Sequence, residues 1–190
     1  MKKSATLLML ALFVTQPGFA QRTIRLNLER LVQDAGVIIR GTVTKVESRQ
    51  DKQTGHIATF VKLRVADNFY GATGEEVTFK VYAGRSGKLK LADMPRFEVG
   101  EESYSFWASP SRIGFSSPIG MQQGKFSLKR EPATGKTLMS NGLANSNLFV
   151  GMKNRTALAK ASWTEVAEPS IEASDFDATI RALVGILKKK

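Results

Sequence analysis

Two long stretches of alternating residues, joined by one polar turn, constrain this chain more than any other feature in it. Ile57, Thr59, Val61, Leu63 and Val65 keep a period of two, the pattern of a strand with one buried face. Upstream, Val37, Ile39, Gly41 and Val43 alternate against Ile38, Arg40, Thr42 and Thr44. Val46 falls one position out of step, which predicts a bulge near Lys45. The polar run Ser48 to Gly55 is the turn between them. The pair points to a small antiparallel barrel.

Ahead of it stands a segment that reads as an export signal. Lys2 and Lys3 form a basic n-region, and Leu7 to Val14 form an apolar run too short to span a bilayer. Pro17 and Gly18 break the helix, and Gly18 and Ala20 supply small residues for cleavage. Cleavage is expected after Ala20, leaving Gln21 as the new N-terminus, so 1–20 is read as a signal peptide and the mature chain as exported, periplasmic or secreted. The chain has no cysteine. Disulfides, thiolate metal sites, a Cys nucleophile and a lipid anchor on Cys are thereby excluded. An exported fold without cross-links leans towards the bacterial envelope, since small animal extracellular domains are usually disulfide-bonded. No later segment is apolar for long enough to cross a membrane.

The formal charge is +11, from 28 basic and 17 acidic residues. Loss of Lys2 and Lys3 with the leader brings it to +9. A basic surface favours anionic partners, and export argues against intracellular nucleic acid among them.

Asn27 is an expected N-cap, followed by Leu28, Leu31, Val32 and Ala35 at helical spacing. Residues 71–76 make a turn, and Val77, Phe79 and Val81 a third strand. An excursion over 83–95 carries Arg85, Lys88 and Lys90. Ser103 to Ala108 is a fourth strand, and a Pro/Ser/Gly-rich loop runs from Ser109 to Gly120. Lys125 to Arg130 and Thr137 to Ser140 flank a hairpin turn. The barrel is assigned to 21–140. Residues 141–173 carry several Asn and little pattern, and are read as a linker. Over 174–190 a C-terminal helix is expected, with Ser174 as its cap. Phe176, Ile180, Leu183, Val184 and Leu187 form its apolar stripe. The stripe suits packing on the barrel or on a second subunit better than a membrane surface, because it lacks a basic polar face along its length.

Residues with catalytic chemistry are sparse. His56 is the only histidine, so a metal site would need carboxylates around it, and no paired-His spacing exists. A Ser-His-Asp triad would have to use the same His56, with no nucleophile-elbow motif. Ser86-Gly87-Lys88 stands without a supporting motif. Gly135-Lys136-Thr137 resembles the end of a phosphate loop, but Arg130 stands where the first glycine belongs. Neighbouring carboxylates at Glu75-Glu76 and Glu101-Glu102 point to opposite faces and do not converge. No catalytic residue, cofactor or metal ligand is assigned. Tyr82, Tyr104, Phe106 and Trp107 are close in sequence and would form a stacking platform if they shared a face.

The order of strands and turns suggests an OB-type barrel. Ala35 to Gly41 (AGVIIRG) and Phe60 to Tyr70, ending in Tyr70-Gly71, resemble the first half of a netrin-like module, as in tissue inhibitors of metalloproteinases. Val99-Gly100-Glu101 followed by Tyr104 and Phe106 is similar to that family's fourth strand. Ile39 to Arg49, Met94 to Glu101 and Gln123 to Phe126 also resemble phrases of a group of uncharacterised bacterial secreted proteins. The resemblance covers about residues 26–130 and implies a mainly β, netrin-like barrel. It departs where it matters for inhibition. Those inhibitors chelate a protease zinc through an N-terminal cysteine, and Gln21 stands here instead.

The function expected from this reading is that of an exported, non-enzymatic binding module. It would dock a protein or an anionic polymer through its barrel loops, with Gln21, Arg22, Arg85, Lys88 and Lys90 as candidate contacts. The alternatives are a regulator or inhibitor of a secreted metalloprotease, acting through the segment from Gln21, and an envelope hydrolase with an unfamiliar site.

Overall fold

A computed structural model describes residues 24–82, 94–160, 163 and 170–189. Along them run α1 (Leu28–Asp34), β1 (Val37–Gln50), β2 (Ile57–Tyr70), β3 (Glu76–Val81), β4 (Glu102–Trp107), β5 (Lys125–Arg130), β6 (Thr137–Asn141), β7 (Ile171–Glu172) and α2 (Ala173–Leu187). The strands form one seven-stranded sheet in the order β3-β2-β1-β4-β5-β6-β7. Every neighbouring pair in it is antiparallel. Asn27 caps α1, its side chain accepting from the Arg30 N–H.

β1 and β2 pair from Ile38 opposite Tyr70 to Gln50 opposite Ile57. Their register slips between Val43 and Lys45, where the alternation of apolar residues also slips. Bulges bend a strand and increase its twist, and two further slips lie near Ile39 and Gly41. The effect shows in a contact between distant strands. Phe79 of β3 stacks on Trp107 of β4 with ring centroids 3.8 Å apart. These strands are three places apart in the sheet, about 14 Å if it were flat, so the sheet curls tightly.

The curl does not close into a barrel of strands: β3 and β7 remain edges. The Ser- and Pro-rich connection after β4 runs as a loop, and it only partly spans the gap. Within it the Ser116 N–H donates to the Lys80 carbonyl at 2.8 Å, and the Ala108 N–H donates to the Ser117 carbonyl at 2.9 Å.

The sheet carries a core on each face. On one, Ile38, Tyr104, Phe106 and Phe126 pack with α1 and with Phe176, Ile180 and Leu183 of α2. On the other, inside the curl, lie Ile39, Val43, Val61, Leu63, Phe79, Val81 and Trp107. The stripe of α2 thus packs back on the sheet. The helix starts earlier than a Ser174 cap would place it. Glu172 is the N-cap and makes no side-chain capping bond, because Ile171 and Glu172 are held in β7 against Met139 and Leu138 right up to the first turn.

Within 141–173, expected as a linker, the described residues contribute to the first core. Ala144, Asn145 and Asn147 have positive φ, a region Asn tolerates better than most residues. These turns deliver Leu148, Phe149 and Met152 into the core, where Phe149 stacks on Trp163 at 4.8 Å.

Candidate functional site

The candidate contacts Gln21, Arg22, Arg85, Lys88 and Lys90 lie outside the described residues. The aromatic platform does not form. Tyr104, Phe106 and Trp107 are successive or alternate residues of one strand, so they divide between the two faces, and all three are fully buried. Tyr82 alone of the four is exposed, at 51%.

Tyr82 instead belongs to a different cluster, at the end of the sheet where the β1–β2 turn meets the loop after β4. Its ring meets His56 edge-on at 6.3 Å and Phe115 edge-on at 5.4 Å. Ile57 and Ile113 are exposed close by in sequence. Beneath the rings, Lys80 reaches from β3 to Asp51 in the turn at 3.1 Å, both side chains about nine-tenths buried, and its ammonium lies 4.6 Å from the centre of the Phe115 ring. Asp51 also accepts from the Thr54 hydroxyl at 2.8 Å and the Thr54 N–H at 3.1 Å. The Thr54 hydroxyl first, and Lys80 with it, hold the Asp51 carboxyl below its ordinary range. The turn is therefore tied to β3. Lys52 in the turn and Arg112 in the loop after β4 are exposed.

The same outward face of β1, β2 and β3 continues away from this end with charged residues. Phe60 faces Glu47 on β1 and Lys80 on β3, Lys62 faces Lys45 and Thr78, and Arg64 faces Thr42 and Glu76. Arg49 lays its guanidinium over the Phe60 ring, 3.8 Å from its centre. Glu47 pairs with Lys45 at 2.9 Å and approaches Arg49 at 3.7 Å, and Glu76 pairs with Lys62 at 2.7 Å. The Lys45 hydrogen bond holds the Glu47 carboxyl below its ordinary range. Sequence reading passed over these cations because each is simply the polar half of an alternating strand. Only the register sets Lys45 against Lys62.

Two concavities lie elsewhere. One of about 400 Å³ is lined by Arg40, Lys136, Glu172 and Asp177 among others. Lys136 and Glu172 pair across it at 2.8 Å, which raises the lysine pKa and lowers that of the carboxyl. Gly135-Lys136-Thr137 closes a hairpin here, not the start of a helix. The other, of about 530 Å³, is lined by Glu101, Gln122, Lys125 and Ser127 among others. Lys125 donates to both Glu101 oxygens at 2.6 and 2.7 Å and to the Arg96 carbonyl at 2.5 Å, and Ser127 donates to Glu101 at 2.8 Å. Every proton of the ammonium is engaged and the hydroxyl turns to the carboxylate. The cluster is a lock between β4 and β5, with no free base facing the serine.

Among the described residues, no group of three or more His, Cys, Asp or Glu is placed to hold a metal ion. No helix among them is long and apolar enough to cross a membrane. No protein-family model matches the chain, and no curated protein matches it in sequence.

Proposed function

We propose that the protein is an exported, non-enzymatic binding module that holds an acidic partner at the hairpin end of an OB-type barrel. The observation that carries this reading is the cluster of exposed His56 and Tyr82 with the partly buried Phe115, seated on the Asp51–Lys80 pair. Half-exposed aromatic rings on a fixed base are the usual anchors of an interface, and loops held on a rigid sheet are where binding function concentrates. Lys52 of the β1–β2 turn and Arg112 of the loop after β4 add exposed positive charge, and Arg85, Lys88 and Lys90 follow Tyr82 in the sequence. The Phe79–Trp107 stack and the 115–118 crossing support the barrel reading. The leader from Lys2 to Ala20 supports export, and the phrases within 26–130 support a netrin-like relationship.

The test is retention of the exported chain on an anionic resin. Retention that weakens as salt rises is expected, with earlier elution for Tyr82→Ala combined with Arg112→Glu. Retention indifferent to salt, or equal in the double variant, overturns the reading.

A further inference from the structure

Between α2 and the Tyr82–Phe115 cluster, no described residue outside these strands packs over the outward face of β1, β2 and β3, and its chemistry is specific. Beside the largely buried Lys80, four water-accessible cations, Lys45, Arg49, Lys62 and Arg64, share it with two carboxylates, Glu47 and Glu76. Lys45 and Lys62 sit directly opposite each other, an arrangement that costs stability between like charges. Arg64 is exposed and makes no ion pair among the described residues. The pairs that do form are open to water: Lys45 is 63% exposed, Arg49 47% and Lys62 40%. Exposed pairs of this kind contribute at most about 1 kcal/mol, so a ligand anion can replace Glu47 or Glu76 at little loss. Along β2, alternate residues on this face are about 7 Å apart, which makes a row of positive charge with a stacked guanidinium in it.

We infer that this face binds a linear acidic polysaccharide, laid over β2 with its carboxylates or sulfates on Arg49, Lys62, Arg64 and Lys45. The inference rests on the reading of the protein as a binder of acidic partners and names the partner's chemistry and a second contact surface. Three features select this ligand. The charge is complementary to a polyanion. Arg49 covers the Phe60 ring, so the face offers a planar, bidentate cation in place of a bare ring. Single-stranded nucleic acid needs a series of bare rings to stack on, and this face has none until Tyr82 at its end. An extended peptide would add at a free strand edge such as that of β3, whereas the cations gather around β2, which is paired on both sides.

The experiment titrates the full exported chain with oligogalacturonate, with its neutral methyl ester, and with an oligothymidylate of equal charge. The acid form is expected to bind, the ester not at all, and the oligothymidylate more weakly than the acid form. Arg49→Glu with Lys62→Glu should weaken oligogalacturonate binding by about tenfold or more. Arg49→Lys, which keeps the charge and loses the planar stack, should fall between. If the Glu variant binds oligogalacturonate like the wild type while Tyr82→Ala with Arg112→Glu does not, the face is not the contact and the hairpin-end reading stands alone. Tighter binding of the oligothymidylate than of the acid sugar makes the face a nucleic-acid surface and overturns the inference. If the wild type binds neither polymer and is not held on anionic resin, both readings fail together.

Discussion

The outward face of β1 and β2 changes character halfway along. At one end Ile38 and Phe69 lie under the helices, with Ile38 fully buried. Arg40 there bonds Glu102 at 2.7 Å, and Arg181 of α2 bonds Asp67 at 3.0 Å and covers the Phe69 ring. Tyr104 completes this half, its hydroxyl 2.6 Å from Asp177 and 3.2 Å from the Ala173 carbonyl. At the other end the same two strands show Lys45, Arg49, Phe60 and Lys62 to water. Charged groups occur in both halves. Under α2 they are fastened to one another and to a helix, and beyond it Lys45, Arg49 and Lys62 each hold only one exposed carboxylate. A sheet can thus bury one half of a face for stability and leave the other half free to meet a ligand.

The sharpest way to break this contrast is to remove the centre of the covered half. Phe176 is fully buried and meets Tyr104, Phe106 and Phe126. Phe176→Ala should cost about 3–5 kcal/mol in denaturant unfolding, and a loss below about 1 kcal/mol would mean that stability resides elsewhere.

Next comes Tyr104→Phe, expected to cost about 1–3 kcal/mol. Burial, then Asp177, pushes the Tyr104 ionisation far above its ordinary 10.0. A raised pKa favours the folded state fully below the unfolded value and loses that contribution as pH rises. The wild type should therefore lose stability above about pH 10, and Tyr104→Phe should lose less there. Equal alkaline slopes would place the phenol outside the core.

A comparable or smaller effect is expected at the hairpin end. Asp51→Ala leaves the largely buried Lys80 ammonium without its carboxylate, so it should cost about 1–3 kcal/mol, speed amide exchange in residues 51–56 and loosen the Tyr82 cluster. Because the Asp51 pKa is depressed, its contribution is present above the unfolded value of about 3.9 and is lost as pH falls. The protection factors of the wild-type turn, taken after allowance for the slower intrinsic exchange at low pH, should fall on acidification, and those of the variant should not.

The smallest effect is predicted for the bare half. Lys45→Ala with Lys62→Ala should move stability by no more than about 0.5 kcal/mol. A loss above about 1 kcal/mol would show the face to be structural.

How much of this was legible in the chain follows from what each residue answers to. The alternation of β1 and β2, and the slip between Val43 and Lys45, are written in local periodicity because one face is buried inside the curl. The apolar stripe of α2 is legible for the same reason. Glu172 as its cap was not, since β7 is only two residues long and exists by pairing with β6. Leu148, Phe149 and Met152 could not be read as core, because a run of turns has no period to carry the signal. The adjacent aromatics of β4 misled in the opposite direction: neighbours in sequence, they serve two different cores. The gathering of Lys45 and Arg49 of β1 with Lys62 and Arg64 of β2 needed the cross-strand register, which no single strand contains.

The chain has two tryptophans, and the fold deals one to each core: Trp107 to the interior of the curl and Trp163 to the helix-covered side. Their emission therefore supplies two native optical gauges. A Trp163→Phe protein would report only on whether the strands stay rolled, and a Trp107→Phe protein only on whether the helices stay seated. Any condition that separates the two signals would reveal a folding intermediate with one side of the sheet intact.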